Sequence, residues 1–226
     1  MPHDEPSPCP LCGSPGTRPF ADVHGRGYLE CGVCRLVHMH PADRPDAAAE
    51  RAHYGTHVND PADPGYRAFL DRLAAPLAER LAPGAEGLDY GSGPGAALAA
   101  MLRERGFRVE VYDPFFAPDP APLGRTWDFV ACTETAEHFF RPGEELRRLD
   151  GLLLPGGWLG VMTEWLPEDR PFGEWRYARD PTHACFYRPA TLEWIAARHG
   201  WRLETPRRNV ALFAKPRSRP APGAAE

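Results

Sequence analysis

Apolar residues along this chain follow two rhythms. From 66 to 81 they recur at Phe69, Leu70, Leu73, Leu77 and Leu81, the spacing of one helix face. Residues 88–90, 109–112, 129–133 and 158–163 are instead short apolar runs of strand length. Helices are predicted at 96–105 and at 144–154, the second closed by Pro155-Gly156-Gly157, and another at 191–199 before a strand pair at 201–204 and 210–214. Strands alternating with helices predict an α/β fold. The rhythm fails in three places. Residues 41–64 cluster Pro, Ala and Asp around His53, Tyr54 and His57 and read as a linker with one short helix at 47–54, able to fold over a ligand. Residues 164–187, rich in Trp, Tyr and charge, read as a substrate lid; Trp165, Trp175 and Tyr177 either cover an acceptor or simply pack. The tail after Pro216 is too rich in Pro, Ala and Gly to order itself.

The stretch Gly87 to Ala100, GLDYGSGPGAALAA, joins a strand end to a helix start through Gly91, Gly93 and Gly95. Residues without a Cβ let the backbone turn sharply and lie against a nucleoside, with the following helix pointing its N-terminus at the site. Asp89 stands just before the turn, where a carboxylate meets a ligand ammonium; Asp113 ends the next strand, at the separation from which such folds reach ribose hydroxyls. The same spacing fits a dinucleotide fingerprint through Ala96, and a glycine loop with a helix-capping acid is the plainer alternative. Lys215 is the sole lysine, near the C-terminus, which excludes a Tyr-x-x-x-Lys pair, a P-loop lysine and a mid-domain Schiff-base lysine.

Cys9-Pro-Leu-Cys12 and Cys31-Gly-Val-Cys34 are two C-x-x-C knuckles, each able to present two thiolates to one tetrahedral ion, with room for a β-hairpin carrying Phe20 and Tyr28 between them. Zinc is the expected ion and iron its competitor; four sulfurs leave no open position, so the metal is expected to stabilise and not to catalyse. His38 and His40 are expected to be bystanders, and Cys132 and Cys185 small buried residues. A second group of metal-ligating types is Glu134-Thr-Ala-Glu137-His138, with His183 downstream in Asp180-Pro-Thr-His183. Two carboxylates and two imidazoles suit Mg2+ or another divalent cation that would hold acceptor oxygens and lower a hydroxyl pKa. Without a cation, His138 or His183 is the general-base candidate; a histidine bonded to backbone as packing is the alternative.

With LDYGSGPG, the acid Asp113, WDFVACTETAEHF, LLPGGWLGVMT and the closing RPATLEWIAARHGW and NVALFAKP, residues 84–216 resemble the class I S-adenosylmethionine-dependent methyltransferases. The resemblance implies a Rossmann-like, mostly parallel sheet with an antiparallel last strand. It implies that Asp89 serves the methionine end of the cofactor, that Asp113 serves the ribose, and that Thr133 and Glu134 at a strand end face the substrate side. Between Asp113 and Trp127 only the proline-rich FFAPDPAPLGRT stands where this family places another helix and strand, so one edge strand is expected to be missing or vestigial, with the adenine pocket altered. The run Glu134 to His138, followed by Thr182, His183, Phe186, Pro189 and Leu192, is similar to the ubiquinone-biosynthesis O-methyltransferases.

At 226 residues the chain holds one α/β domain plus a small appendage: a ribbon module at 1–40, a linker at 41–65, a methyltransferase domain at 66–216 and a tail at 217–226. A formal charge of −5 gives little pull toward nucleic acid. With no run of membrane-span length and no basic-then-apolar leader before Cys9, a cytoplasmic protein is expected. The expected reaction is methyl transfer from S-adenosylmethionine to a small molecule, foremost at oxygen. The alternatives are C-methylation of a sugar or quinone-like acceptor, and RNA or protein methylation guided by the ribbon. A nicotinamide enzyme is the remaining rival.

Overall fold

The computed structural model describes residues 7–56 and 59–217; His57 and nearly all of the predicted tail lie outside the described residues. In chain order come β1 (Thr17–Val23), β2 (Arg26–Cys31), β3 (Val37–Met39), α1 (Ala47–Tyr54), α2 (Pro64–Ala78), β4 (Glu86–Tyr90), α3 (Ala97–Glu104) and β5 (Arg108–Tyr112). They continue with β6 (Trp127–Thr133), α4 (Pro142–Leu152), β7 (Leu153–Met162), α5 (Arg176–Arg179), β8 (Cys185–Phe186), α6 (Pro189–His199), β9 (Arg202–Arg207) and β10 (Val210–Ala214).

The main sheet has six strands in the order β5-β4-β6-β7-β10-β9. The first four are parallel, and β10 runs antiparallel to both neighbours. Helices cover both faces, which is why β4 and β6 are buried at consecutive positions and not at alternate ones. In β6, Phe129 and Ala131 pack under α2 and α3 with Leu73, Leu77, Leu98 and Leu102. Val130 and Cys132 point to the opposite face, among Leu146 and Leu149 of α4 and Leu192 and Ile195 of α6. Between Asp113 and Trp127 the described chain forms no strand. Asp113 makes a single bridge to Ala117, a 3-10 turn follows at Ala121–Gly124, and the Trp127 indole is tied to the Pro122 carbonyl at 3.1 Å. The edge strand is missing, and β5 is the border of the sheet.

Several boundaries differ from the periodicity for identifiable reasons. α2 begins at Pro64 and not at 66 because Asp63 caps it, accepting the Tyr66 N–H, with proline in the first helical position. It ends at Ala78, after Pro76 has removed one helical donor, and a tighter turn carries Leu81 onto the same core. α4 stops at Leu152, because Pro155-Gly156-Gly157 is absorbed as a bulge inside β7, where the pairing with β6 slips between Trp127 and Phe129.

The first three strands make a second sheet, ordered β1-β2-β3-β8. Its fourth strand comes from the predicted lid: β3 pairs antiparallel with β8 in the register Val37↔Phe186 and His38↔Cys185. Cys9, Leu11, Cys31, Cys34 and Leu36 share one core with α4 and α6. Among the described residues no helix is long and apolar enough to cross a membrane.

Candidate active site

β4 leads straight into the glycine turn. Gly91 has φ +79°, and Thr135 occupies the space that a Cβ there would need, its hydroxyl 3.2 Å from the Gly91 carbonyl. A Cβ on Gly95 would strike the backbone carbonyl of Asn59. Both positions therefore demand glycine. Asp113 locks the turn to the second strand: its carboxylate accepts the N–H of Gly93 at 3.0 Å, of Phe115 at 2.8 Å and of Phe116 at 3.1 Å. Asp89 accepts the Ala99 N–H at 3.2 Å, so it satisfies the first turn of α3, which begins at a left-handed Ala96 without a side-chain cap. Burial pushes the Asp89 carboxyl up to about 7, against the pull of that N–H and of Arg103.

From this turn a cavity of about 990 Å³ runs along the strand ends to the second set of candidate residues. Asp89, Gly91, Gly93, Asp113 and Thr133 line one end and Glu134, Glu137, His138 and His183 the other. Gly95 lies under Asn59 and is not part of the wall. One ligand atom from each of Glu137, His138 and His183 falls within 4.8 Å of the others. His138 Nδ1 is 3.1 Å from the Thr182 carbonyl and His183 Nδ1 is 2.7 Å from the Tyr177 carbonyl. A carbonyl only accepts, so both rings carry their proton on Nδ1 and keep an Nε2 lone pair for another partner. Burial lowers His183 to about 4, which keeps it neutral. The Glu137 side chain is fully buried, and neither carboxylate oxygen has a hydrogen-bond partner.

Glu134 stands outside this group of three. It occupies a left-handed position, φ +47°, at the end of β6, its N–H bonded to the Met162 carbonyl at 2.8 Å. Burial, reinforced by Glu137 and Glu164, raises its carboxyl to about 9, so it holds a proton at neutral pH. Tyr177 packs 4.0 Å from the His183 ring, whereas Trp175 is buried with Phe172 and Phe186 and bonds Glu164 through its indole N–H. Of the three lid aromatics, Tyr177 alone lines the cavity.

The predicted linker roofs this cavity with α1. Tyr54 meets His138 edge-on at 5.1 Å and Phe115 at 5.4 Å, and its hydroxyl bonds Glu50 at 2.9 Å. His53 Nε2 is 2.9 Å from the Asp180 carboxylate, which also takes the N–H and hydroxyl of Thr182. Asn59 and Thr135 carry no motif, and Asp180, although it stands in the run read for His183, meets His53 through a side-chain contact between residues 127 apart that no spacing reveals.

The four knuckle sulfurs lie within 4.8 Å of one another, with Cys9–Cys34 and Cys12–Cys31 at 3.5 Å. Bonds of 2.3 Å to a tetrahedral ion imply sulfur separations of about 3.8 Å, so the set fits zinc closely. The Cys34 thiol hydrogen bond pulls Cys9 down to about 5 and pushes Cys34 up. His38 and His40 are outside the cluster: His38 is buried in β3 and His40 caps the turn at Pro41–Asp43. Cys132 and Cys185 are buried thiols raised by burial, as expected of packing residues.

A family model described as "Methyltransferase domain" matches residues 63–205. Among solved structures, 1,6-didemethyltoxoflavin-N1-methyltransferase of Burkholderia thailandensis, bound to 1,6-didemethyltoxoflavin and S-adenosylhomocysteine, is similar over 88% of this chain and 99% of that one, at 16% identity and TM-score 0.55. An O-methyltransferase family protein from Burkholderia thailandensis is similar over 79% of this chain and 65% of that one, at 19% identity and TM-score 0.49. No curated protein matches the chain. The first likeness shows the shared fold, and the family match covers the glycine turn, both acids and Glu134, Glu137, His138 and His183, but not α1 or the cysteine knuckles. The chain belongs to this methyltransferase family and is an S-adenosylmethionine-dependent methyltransferase.

Proposed function

We propose that the enzyme methylates an oxygen of a small-molecule acceptor, held beside Glu137, His138 and His183 by a divalent cation. One observation carries this reading: the Glu137 carboxylate is fully buried, neither oxygen is hydrogen-bonded, and a ligand atom from each of His138 and His183 lies within 4.8 Å of it. A buried carboxylate without a partner is costly, and a cation shared with two imidazoles relieves that cost. Two nitrogens and one oxygen favour Zn2+, Mn2+, Fe2+ or Co2+ over Mg2+, which prefers an all-oxygen shell.

S-adenosylmethionine supplies a methyl already activated on a positively charged sulfur, so the chain has to align, desolvate and deprotonate. Asp89 would pair with the cofactor ammonium and Asp113 with the ribose, beside the glycine turn that Thr135 and Asn59 pack against. Tyr177 and Thr182 hold the two imidazoles through their carbonyls, which fixes where Nε2 points. α1 and Phe115 exclude water from above. A hydroxyl placed against Glu137, His138 and His183 would give up its proton to solvent more readily, and its oxygen would take the methyl as the carbon–sulfur bond breaks and S-adenosylhomocysteine leaves. The four cysteines would hold a structural zinc. With a charge of −5, nucleic acid is the less favoured partner.

The test follows release of S-adenosylhomocysteine over a panel of hydroxylated metabolites. Chelation should abolish turnover and added Mn2+ or Co2+ restore it, with cofactor affinity unchanged. Turnover indifferent to chelator would leave His138 or His183 as a general base and remove the cation.

A further inference from the structure

Main chain connects the cysteine knuckles to the acceptor wall without a break. Cys31 N–H donates to the Leu36 carbonyl at 2.9 Å, which closes the second knuckle and starts β3. Met39, the last residue of β3, donates its N–H to the Ala184 carbonyl at 2.8 Å, and the Ala184 N–H donates to the Glu137 carbonyl at 2.7 Å. Ala184 lies between His183 and Cys185, so one residue ties the ribbon to two of the three donors.

The first knuckle grips the same wall from the other side. Gly143 N–H donates to the Pro10 carbonyl at 3.1 Å, and a Cβ on Gly143 would collide with the Leu11 carbonyl, so the knuckle is seated on the start of α4, just past His138. Cys185 Sγ donates to the Phe139 carbonyl at 3.1 Å, and the Tyr187 hydroxyl donates to the Ala136 carbonyl at 2.9 Å. Glu30 of β2 pairs with Arg188, next to β8, at 3.2 Å and with Arg35 of the second knuckle at 3.0 Å.

We propose that the cysteine ribbon is the positioning scaffold of the acceptor side: through Ala184 it holds Glu137 and His183 together, while the cofactor side stands without it. The proposal rests on the metal reading of the four cysteines and concerns the same site as the proposed function. The two metal sites then stabilise each other reciprocally. The ribbon is a working part of the cleft and not an appended docking module.

Amide hydrogen exchange on the full chain with S-adenosylhomocysteine bound tests this, comparing wild type with Cys34→Ser. Peptides covering 134–140 and 180–187 should exchange at least tenfold faster in the variant, while 86–104 stays protected. Mn2+ affinity, read by electron paramagnetic resonance, should fall at least tenfold, with S-adenosylhomocysteine affinity held within twofold. If Cys34→Ser loses protection everywhere, Met39→Pro decides, since it keeps all four cysteines and deletes the N–H that Ala184 accepts. Unchanged exchange at 180–187 in a variant that has lost the ribbon metal, or in Met39→Pro, overturns the proposal. A wild-type protein that binds no Mn2+ would remove the cation from the proposed function, and the exchange rates would still decide the role of the ribbon.

Discussion

The two ends of the cavity are built on opposite plans. The cofactor end comes from nearly contiguous chain, β4, the glycine turn and the end of β5, and its acids are already bonded: Asp113 to three N–H groups and Asp89 to one. The acceptor end is assembled from α1, the loop after β6, the segment 177–183 and the ribbon behind it, and it leaves both oxygens of Glu137 without a hydrogen bond. A satisfied site is set by folding alone. An unsatisfied one costs stability that a ligand can return, and on the proposed reading that ligand is the cation beside Glu137.

The sharpest break of that contrast is Glu137→Gln. If Glu137 is a cation ligand, turnover should fall roughly a hundredfold or more with cofactor affinity unchanged. The metal-free protein should at the same time melt several degrees higher, because a neutral amide relieves a desolvated charge, an effect of about 1–3 kcal/mol. A lower melting temperature together with full activity would make Glu137 a packing residue. At the cofactor end the counterpart is Asp113→Ala, which should weaken S-adenosylhomocysteine binding about 10- to 100-fold by losing charged hydrogen bonds, with turnover at saturating cofactor preserved. An unchanged dissociation constant would remove the ribose role.

The same contrast explains what was legible. The glycine turn and Asp113 lie within one strand-turn-helix-strand unit, where spacing fixes contact, and the missing edge strand followed from a proline-rich gap too short to hold a helix and a strand. The acceptor end depended on tertiary placement. Three of the four candidate donors converge, but the left-handed turn at Glu134 keeps its carboxyl out of the group, and backbone handedness at a non-glycine residue leaves no mark in sequence. β8 is two residues long, so no periodicity reveals it, yet it turns a predicted lid into part of the ribbon sheet. Asn59 packs on the glycine turn with its main-chain carbonyl over Gly95 and its side-chain amide by Gly93, a placement that no sequence spacing reveals.

A smaller effect separates the two ends by pH. In the folded chain Asp89 holds its proton up to about pH 7, whereas unfolded it ionises from about 3.8, so the free protein loses stability as pH rises across that window. An ammonium-bearing cofactor needs the ionised form. Affinity for S-adenosylhomocysteine should therefore drop roughly tenfold between pH 8 and pH 6, and Asp89→Asn should flatten that slope while weakening binding throughout. A slope that survives the substitution would assign the titration elsewhere, with the carboxyl acting only as the helix cap seen at Ala99.

The finest probe is Tyr54, which touches both ends at once: its ring lies edge-on to His138 and beside Phe115, next to the Asp113 turn. Tyr54→Phe keeps that ring and loses the hydroxyl with its bond to Glu50, so acceptor KM should rise about threefold and cofactor affinity should stay level. Tyr54→Ala removes the ring and should weaken acceptor and cofactor together, because the roof over both is opened. If the phenylalanine variant loses as much as the alanine one, the hydroxyl meets the acceptor directly. α1 then belongs to the reacting end of the cavity, and its service to the cofactor end is incidental.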